Sequence, residues 1–160
     1  MKLHKTRIEI PEAARKDLVA LLNVQLANLA DLQSQTKHAH WNVKGPQFWS
    51  LHELFDDLAD KANEHADEVA ERLTALGGVA NGTVRHAAAA SQLAEYSAGA
   101  FHGLAAVKAV ADAFGTAANA ARAGIDAAEE LGDPVTADLL TSLAGELDTS
   151  LYFLESHLAE

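Results

Sequence analysis

Apolar residues recur along most of the chain at the three- and four-residue intervals that are typical of α-helices. The first such segment includes Leu18, Leu22, Leu26 and Leu29, and three more segments follow it. Pro11 suits the start of the first helix, because proline lacks only an N–H that a first turn leaves unpaired. Strand-like alternation is nearly absent. The pattern predicts an all-α protein with four long helices, over about 12–43, 47–76, 97–131 and 134–158.

Glycine and proline residues separate these helices. Gly45-Pro46 ends the first, Gly77-Gly78 ends the second, and Asp133-Pro134 supplies an N-cap and first position for the fourth. The first and last connections are short, while the middle one, 77–96, can hold a short helix around 86–95. Short turns make antiparallel neighbours, and a long link can cross the whole bundle. The sequence therefore predicts a single domain with the arrangement of a ferritin-like four-helix bundle with one long crossover containing a short helix.

The second predicted helix has two faces of different composition. Counted at 100° per residue, one face is an ordinary apolar core stripe, made of Leu51, Leu54, Leu58, Ala62, Val69, Leu73 and Leu76. The other mixes alanines with potential metal ligands, and consists of His52, Asp56, Ala59, Asn63, Ala66, Asp67, Ala70 and Glu71. Because this face lacks the mixture of lysine and glutamate expected of a solvated surface, we interpret it as a second packing surface.

The acidic and imidazole side chains of that face form two pairs. His52 and Asp56 are one helical turn apart, as are Asp67 and Glu71, so each pair can contact one ion. The pairs cannot share an ion within one helix, since about 22 Å of helix rise separates them. They can meet if two copies of the helix pack antiparallel about a twofold axis near residues 61 and 62. One such dimer would create two equivalent sites.

The first helix adds a further candidate ligand. His40 points along the apolar stripe of that helix. A lone histidine on an apolar face is more often a core residue, but the four candidates on the second helix favour a ligand. Two imidazoles and three carboxylates, without thiolates, suit iron or a similar divalent ion. A site of the same ligands that binds Zn²⁺ without turnover stays open as an alternative.

The charge of the chain is strongly negative and unevenly distributed. Its 12 Lys and Arg against 23 Asp and Glu give a net charge of −11. Lys2, Lys5 and Arg7 place three positive charges near the N-terminus, in a segment (1–10) that we expect to be a flexible tail. The remaining residues carry −14. The bulk surface should therefore repel nucleic acid and attract cations.

The composition also excludes several classes of protein. The chain has no cysteine, which rules out disulfides, thiolate zinc sites, iron–sulfur clusters and a cysteine nucleophile. No run approaches 18 apolar residues, so we expect no membrane span. The N-terminus lacks the apolar stretch of a secretory signal. We therefore expect a cytoplasmic protein, which can also be nucleoid-associated.

Two stretches of the sequence combine the candidate ligands with characteristic neighbours: HWNVKG at 40–45, continuing to LHELFD at 51–56, and DEVAERLTALGG at 67–78. They resemble the two signatures of the Dps family, the mini-ferritins of the ferritin-like class. Both spacings match, and the likeness extends over essentially the whole chain to FLES at 153–156. The Glu-x-x-His motif of ordinary ferritins does not occur in the chain.

The resemblance implies an iron storage and detoxification protein with ferroxidase activity. Such a protein is a hollow dodecamer that binds Fe²⁺, oxidises it with hydrogen peroxide or O₂, stores ferric mineral inside and protects DNA and the cell from oxidative damage. Motif for motif, the ligands fall on His40, His52 and Asp56 of one subunit and on Asp67 and Glu71 of its twofold mate. This assignment of three ligands to one subunit and two to its mate is what the resemblance implies.

Further roles follow from the same resemblance. Trp41 occupies the position of the tryptophan beside the site, where it can donate an electron; the alternative is a core aromatic at the end of the first helix. Asp133 and Asp138 resemble acidic positions that line pores for iron, although helix capping explains Asp133 equally well.

DNA is a weaker expectation than iron. Family members that bind DNA often use a lysine-rich tail, and here the tail has only Lys2, Lys5 and Arg7. The twelve tails of a dodecamer could bind DNA together, but the acidic bodies of the subunits would repel the same DNA. A non-catalytic metal-binding cage, or a cage that condenses DNA, is the alternative function.

Overall fold

The computed structural model describes residues 2–159, and over that range it contains five α-helices and no strand. The helices are α1 (Glu12–Asn42), α2 (Phe48–Ala75), α3 (Val84–Ala90), α4 (Gly103–Glu130) and α5 (Pro134–Ser156). The prediction of an all-α bundle with one long crossover is confirmed. In the described residues, no helix is both long enough and apolar enough to cross a membrane.

The bundle is built from two closely packed helix pairs. Helix α1 packs on α2 and α4 packs on α5, while α1 also contacts α4 and α3. The short turn after α1 makes α1 and α2 antiparallel, and the crossover then returns the chain to the start of α4. The largest fully buried side chains are Phe55, Phe114, Leu18, Leu22, Leu29, Leu32, Leu51, Leu58, Leu73, Leu76, Leu140 and Leu143. Alanines supply most of the buried positions of α4, which lets its neighbours approach closely.

The ends of the helices follow ordinary capping chemistry. The Asp133 side chain accepts hydrogen bonds from the backbone N–H groups of Val135 and Thr136 at the start of α5. Gly77 follows the end of α2 with a φ of +90°, and a side chain there would collide with the backbone of the N-terminal segment. Glycine is therefore required at this position both for the helix stop and for the close approach.

The short helix of the crossover lies earlier than the sequence predicts. It occupies Val84–Ala90 and not the region around 86–95, because the Thr83 side chain accepts a hydrogen bond from the N–H of His86 and so caps it. A contact with α1 determines where α3 ends. Asn28 accepts a hydrogen bond from the N–H of Gln92, and this contact holds the chain against α1 instead of in a further helical turn.

Helix α4 begins later than the predicted position near residue 97. The backbone of Lys44 pairs with the segment before α4: its N–H donates to the carbonyl of Phe101 at 2.8 Å, and its carbonyl accepts from Gly103 at 3.0 Å. Gly99, with a φ of +87°, makes the turn that brings this segment into place. Residues 97–102 are thus held by the α1–α2 turn and are not helical.

The N-terminal segment contacts the body of the protein, which differs from the flexible tail expected from the sequence. The N–H of His4 donates to the carbonyl of Gly77 at 2.8 Å. Leu3 and Ile10 pack against the core. The Arg15 guanidinium donates to the carbonyls of Leu76 at 2.9 Å and Ile10 at 3.2 Å. Residues 2–10 therefore run along the end of α2; Met1 lies outside the described residues.

Candidate metal centre

Two stacked histidines form the centre of the predicted site. His40, near the end of α1, and His52, in the second turn of α2, have ring centroids 3.8 Å apart and ring planes inclined by 20°. Nδ1 of His40 lies 2.7 Å from the carbonyl oxygen of His52, and Nδ1 of His52 lies 2.9 Å from the carbonyl oxygen of His40. Each imidazole is therefore anchored to the backbone of the other helix.

This reciprocal arrangement determines which nitrogen is free. A carbonyl oxygen only accepts hydrogen bonds, so Nδ1 of both His40 and His52 must donate. In a neutral imidazole, the other nitrogen, Nε2, then carries a lone pair. A histidine held by its second nitrogen to a carbonyl is the usual form of a metal ligand, because the hydrogen bond fixes both tautomer and orientation. Both rings are thus prepared to bind a cation through Nε2.

Asp56 brings a carboxylate to the histidines. Its Oδ1 lies 3.6 Å from Nδ1 of His40, one turn along α2 from His52. A hydrogen bond from the Lys37 ammonium holds the pKa of Asp56 below its ordinary value, against an opposing effect of burial. The carboxyl group is therefore ionised at neutral pH, as metal ligation requires.

Lys37 is a part of the site that the sequence analysis did not identify. Its ammonium, on α1, contacts Asp56 and lies 3.8 Å from Oδ1 of Asp60 on α2. The hydrogen bond to Asp56 raises the pKa of Lys37, so the group is a cation. Lys37 lies one helical turn before His40, and this spacing is the signal that could have placed it on the same face.

The other two predicted ligands lie elsewhere on α2. The structure brings His40, His52 and Asp56 together, but Asp67 and Glu71 are exposed further along the helix. Asp67 lines a groove of about 680 Å³ between α1, α2 and the segment around α3. Within residues 2–159 of one subunit, no group of three or more His, Asp or Glu side chains is arranged to hold a metal ion.

Aromatic side chains surround the histidines at the end of the bundle. Trp41 is 64% exposed and Trp49 is 69% exposed. The alternative interpretation of Trp41, a core aromatic at the end of the first helix, therefore does not hold within the subunit. The rings of Phe48 and Trp49 lie 5.1 Å and 6.3 Å from that of His52.

Asp133, one of the two weak candidates for a pore, is engaged within the subunit. It is 1% exposed, and the Arg72 guanidinium donates to both of its oxygens at 2.9 Å and 2.7 Å. The Thr136 hydroxyl also contacts it. Burial alone would raise the pKa of Asp133, but the hydrogen bonds from Thr136 and Arg72 lower it below its ordinary value. Within the subunit Asp133 is therefore accounted for as the N-cap of α5 and the partner of Arg72, while Asp138 is exposed on α5.

Comparison with known proteins gives one consistent result. The pattern of the Ferritin-like domain family matches residues 19–160. A protein named DNA protection during starvation protein, from Agrobacterium fabrum, is 40% identical over 160 residues, which cover 100% of this chain and 99% of the relative. DpsA14 from Streptomyces coelicolor has a similar structure, with a TM-score of 0.94 at 34% identity over 100% of this chain and 96% of the other. Mycobacterium smegmatis Dps in its tetragonal form has a TM-score of 0.93 at 32% identity, over 99% of this chain and 96% of the other.

Proposed function

The chain belongs to the Dps family of ferritin-like proteins, and on that premise we propose that it is a ferroxidase that stores iron. It binds Fe²⁺ between the subunits of a twofold dimer, oxidises it with hydrogen peroxide and keeps the ferric product inside a hollow dodecamer. One observation carries the proposal: two stacked histidines have Nδ1 bound to backbone carbonyls, which leaves Nε2 available, and the ionised Asp56 carboxylate lies 3.6 Å from the His40 ring. In the described part of one subunit, these side chains do not form a group of three or more ligands that could hold a metal ion.

The remaining ligands come from the twofold mate. His40, His52 and Asp56 of one subunit face Asp67 and Glu71 of the other, and the reciprocal contact completes a second site. The exposure of Asp67 and Glu71 on the isolated subunit supports this arrangement, because ligands that a partner completes must be accessible before assembly. The five side chains are all nitrogen or oxygen donors, which suits Fe²⁺.

The reaction transfers two electrons. Two ferrous ions each give up one electron, the O–O bond of one peroxide breaks, and two protons convert the oxygens into two water molecules. Because both electrons come from iron, no hydroxyl radical is released, and DNA and the cell are protected. The ligands hold the substrate ions and supply negative charge that favours the ferric product. Trp41, exposed next to His40, is the residue proposed to donate an electron when only one iron is present.

Anaerobic loading with Fe²⁺ followed by peroxide tests this function directly. We expect about one peroxide to be consumed for every two Fe²⁺ oxidised, by a particle of about 200 kDa, which is twelve times the 16.9 kDa chain. Tight binding of Zn²⁺ or Fe²⁺ without peroxide consumption would instead identify a non-catalytic metal-binding cage. A particle of the wrong mass would contradict the dodecamer alone.

DNA association is the second candidate function, because relatives of this chain are named for DNA protection. Lys2, Lys5 and Arg7 are exposed on the N-terminal segment and can attract DNA. The rest of the subunit is acidic and repels it. We expect a gel shift with duplex DNA at low salt that disappears near physiological salt. A variant with all three residues changed to alanine should lose it.

Lys108→Ala provides the control for this experiment. Lys108 is an exposed lysine of α4 that pairs with Asp112, far from the N-terminal segment in sequence. Its removal should leave the gel shift unchanged. DNA binding that survives the triple alanine change, or that persists at physiological salt, would place the contact on another surface.

A further inference from the structure

The ammonium of Lys37 lies between two carboxylates of α2. It contacts Asp56 and is 3.8 Å from Oδ1 of Asp60. These two aspartates are one turn apart, about 6 Å along the helix axis, and share a face. The Lys37 side chain is 25% exposed, and that of Asp60 is 73% exposed. One cation thus has two acceptors within reach, and only Asp56 belongs to the proposed metal site.

A divalent cation that binds at Asp56 competes with the Lys37 ammonium for the same carboxylate. Two positive groups at that distance repel each other, so the metal weakens the hold of Asp56 on the ammonium. Lys37 extends from α1, so its ammonium can move only within the reach of its own side chain. The carboxylate that it already approaches on the side away from the histidines is Asp60.

We propose that Asp60 receives the Lys37 ammonium when a divalent cation takes Asp56. Asp60 is then a positioning residue that lowers the free-energy cost of metal binding without touching the metal. The ion pair of Lys37 passes from one carboxylate to the next, so the ammonium is not left unpaired beside the ion. This inference rests on the proposed function, since it assumes that Asp56 is a ligand.

A double-mutant cycle tests the proposal through binding and not through turnover. Calorimetric titration with Co²⁺ under nitrogen measures the dissociation constant of the wild type, Asp60→Asn, Lys37→Met and the double variant. We expect Asp60→Asn to weaken Co²⁺ binding about three-fold in the wild-type background, the scale of one partly exposed ion pair. In the Lys37→Met background the same change should have almost no effect. Asp60→Glu should restore wild-type affinity.

Asp57→Asn is the matched control. Asp57 is an exposed aspartate of the same helix, next to Asp56, and it has no ion pair with Lys37. Its effect measures what the loss of one negative charge does through the general field. The proposal is wrong if Asp60→Asn is no more harmful than Asp57→Asn, or if the excess of its effect over that of Asp57→Asn persists in the Lys37→Met background. A wild type that binds no Co²⁺ in a His52-dependent way would instead overturn the proposed function, and this inference with it.

Discussion

Replacing His52 and Asp67 together by alanine is expected to slow Fe²⁺ oxidation by peroxide at least about 100-fold. Changes to residues that only support a metal ligand already cost about 10- to 100-fold, and this variant removes two ligands from every site. Stopped-flow absorbance of ferric formation after anaerobic loading measures the rate. Asn63→Ala is the matched control, because Asn63 is exposed on the same face of α2 and is not a proposed ligand.

The two single variants then test whether the site is shared. If each site takes His52 from one subunit and Asp67 from the other, a dimer of one His52→Ala and one Asp67→Ala subunit contains one intact site. Random association makes about half of the dimers mixed, so roughly a quarter of all sites should recover. Co-expression of the two chains with different tags allows purified mixed assemblies to be compared with the inactive single variants.

The outcome separates two arrangements. Recovery in the mixed assemblies requires ligands from two subunits, since neither chain alone has a complete set. If the mixed assemblies stay as inactive as each single variant, His52 and Asp67 do not belong to one shared site. That result would contradict the division of His52 and Asp67 between partners, even if both residues prove essential.

Asp133→Ala is expected to destabilise the subunit by about 3 kcal/mol. The change leaves the largely buried Arg72 guanidinium without its carboxylate partner and removes the N-cap of α5, and breaking one partner of a buried pair typically costs that much. Removing Arg72 as well should cost less than the sum of the two single changes, because no charge is then left unpaired. Urea unfolding followed by circular dichroism, at equal protein concentrations, measures these differences.

The same ion pair gives a pH dependence of stability. The hydrogen bonds from Thr136 and Arg72 lower the pKa of Asp133 in the folded state relative to the unfolded chain. Its contribution is therefore fully present above the unfolded pKa, about 3.9, and is lost as the pH falls through the lower folded value. The difference in stability between the wild type and Asp133→Ala should thus shrink below about pH 4. Asp138→Ala, an exposed change on α5, should leave stability unaffected at every pH; equal effects of the two changes would contradict the buried pair.

Much of the architecture could be predicted because it depends on local rules. Helix ends at Pro11, Gly77 and Asp133 follow from backbone geometry and capping, which need no knowledge of distant residues. The two faces of α2 follow from helical periodicity alone. His52 and Asp56 could be grouped because they are one helical turn apart, and the resemblance to the Dps family added His40 to the same subunit's set.

The remaining features depend on contacts between distant segments. The contact of Lys37 with Asp56 requires the register of α1 against α2, which periodicity does not define. The burial of Asp133 depends on Arg72, which lies 61 residues earlier in the sequence. Likewise, α4 begins at Gly103 because Lys44 holds the preceding segment. Each of these results from tertiary packing, which overrides the local pattern.

The mutual anchoring of His40 and His52 also affects how quickly and tightly a cation can be captured. Each ring is immobilised by a carbonyl of the opposite helix, so its torsional freedom is lost when α1 and α2 pack together. The entropy of ordering these two ligands is therefore already spent in folding and is not subtracted from the binding free energy. In the proposed site, an arriving ion would meet both imidazoles in a fixed orientation, without waiting for a ring rotation or a tautomer exchange, and the rearrangement left to make would be that of the Asp56 and Lys37 side chains.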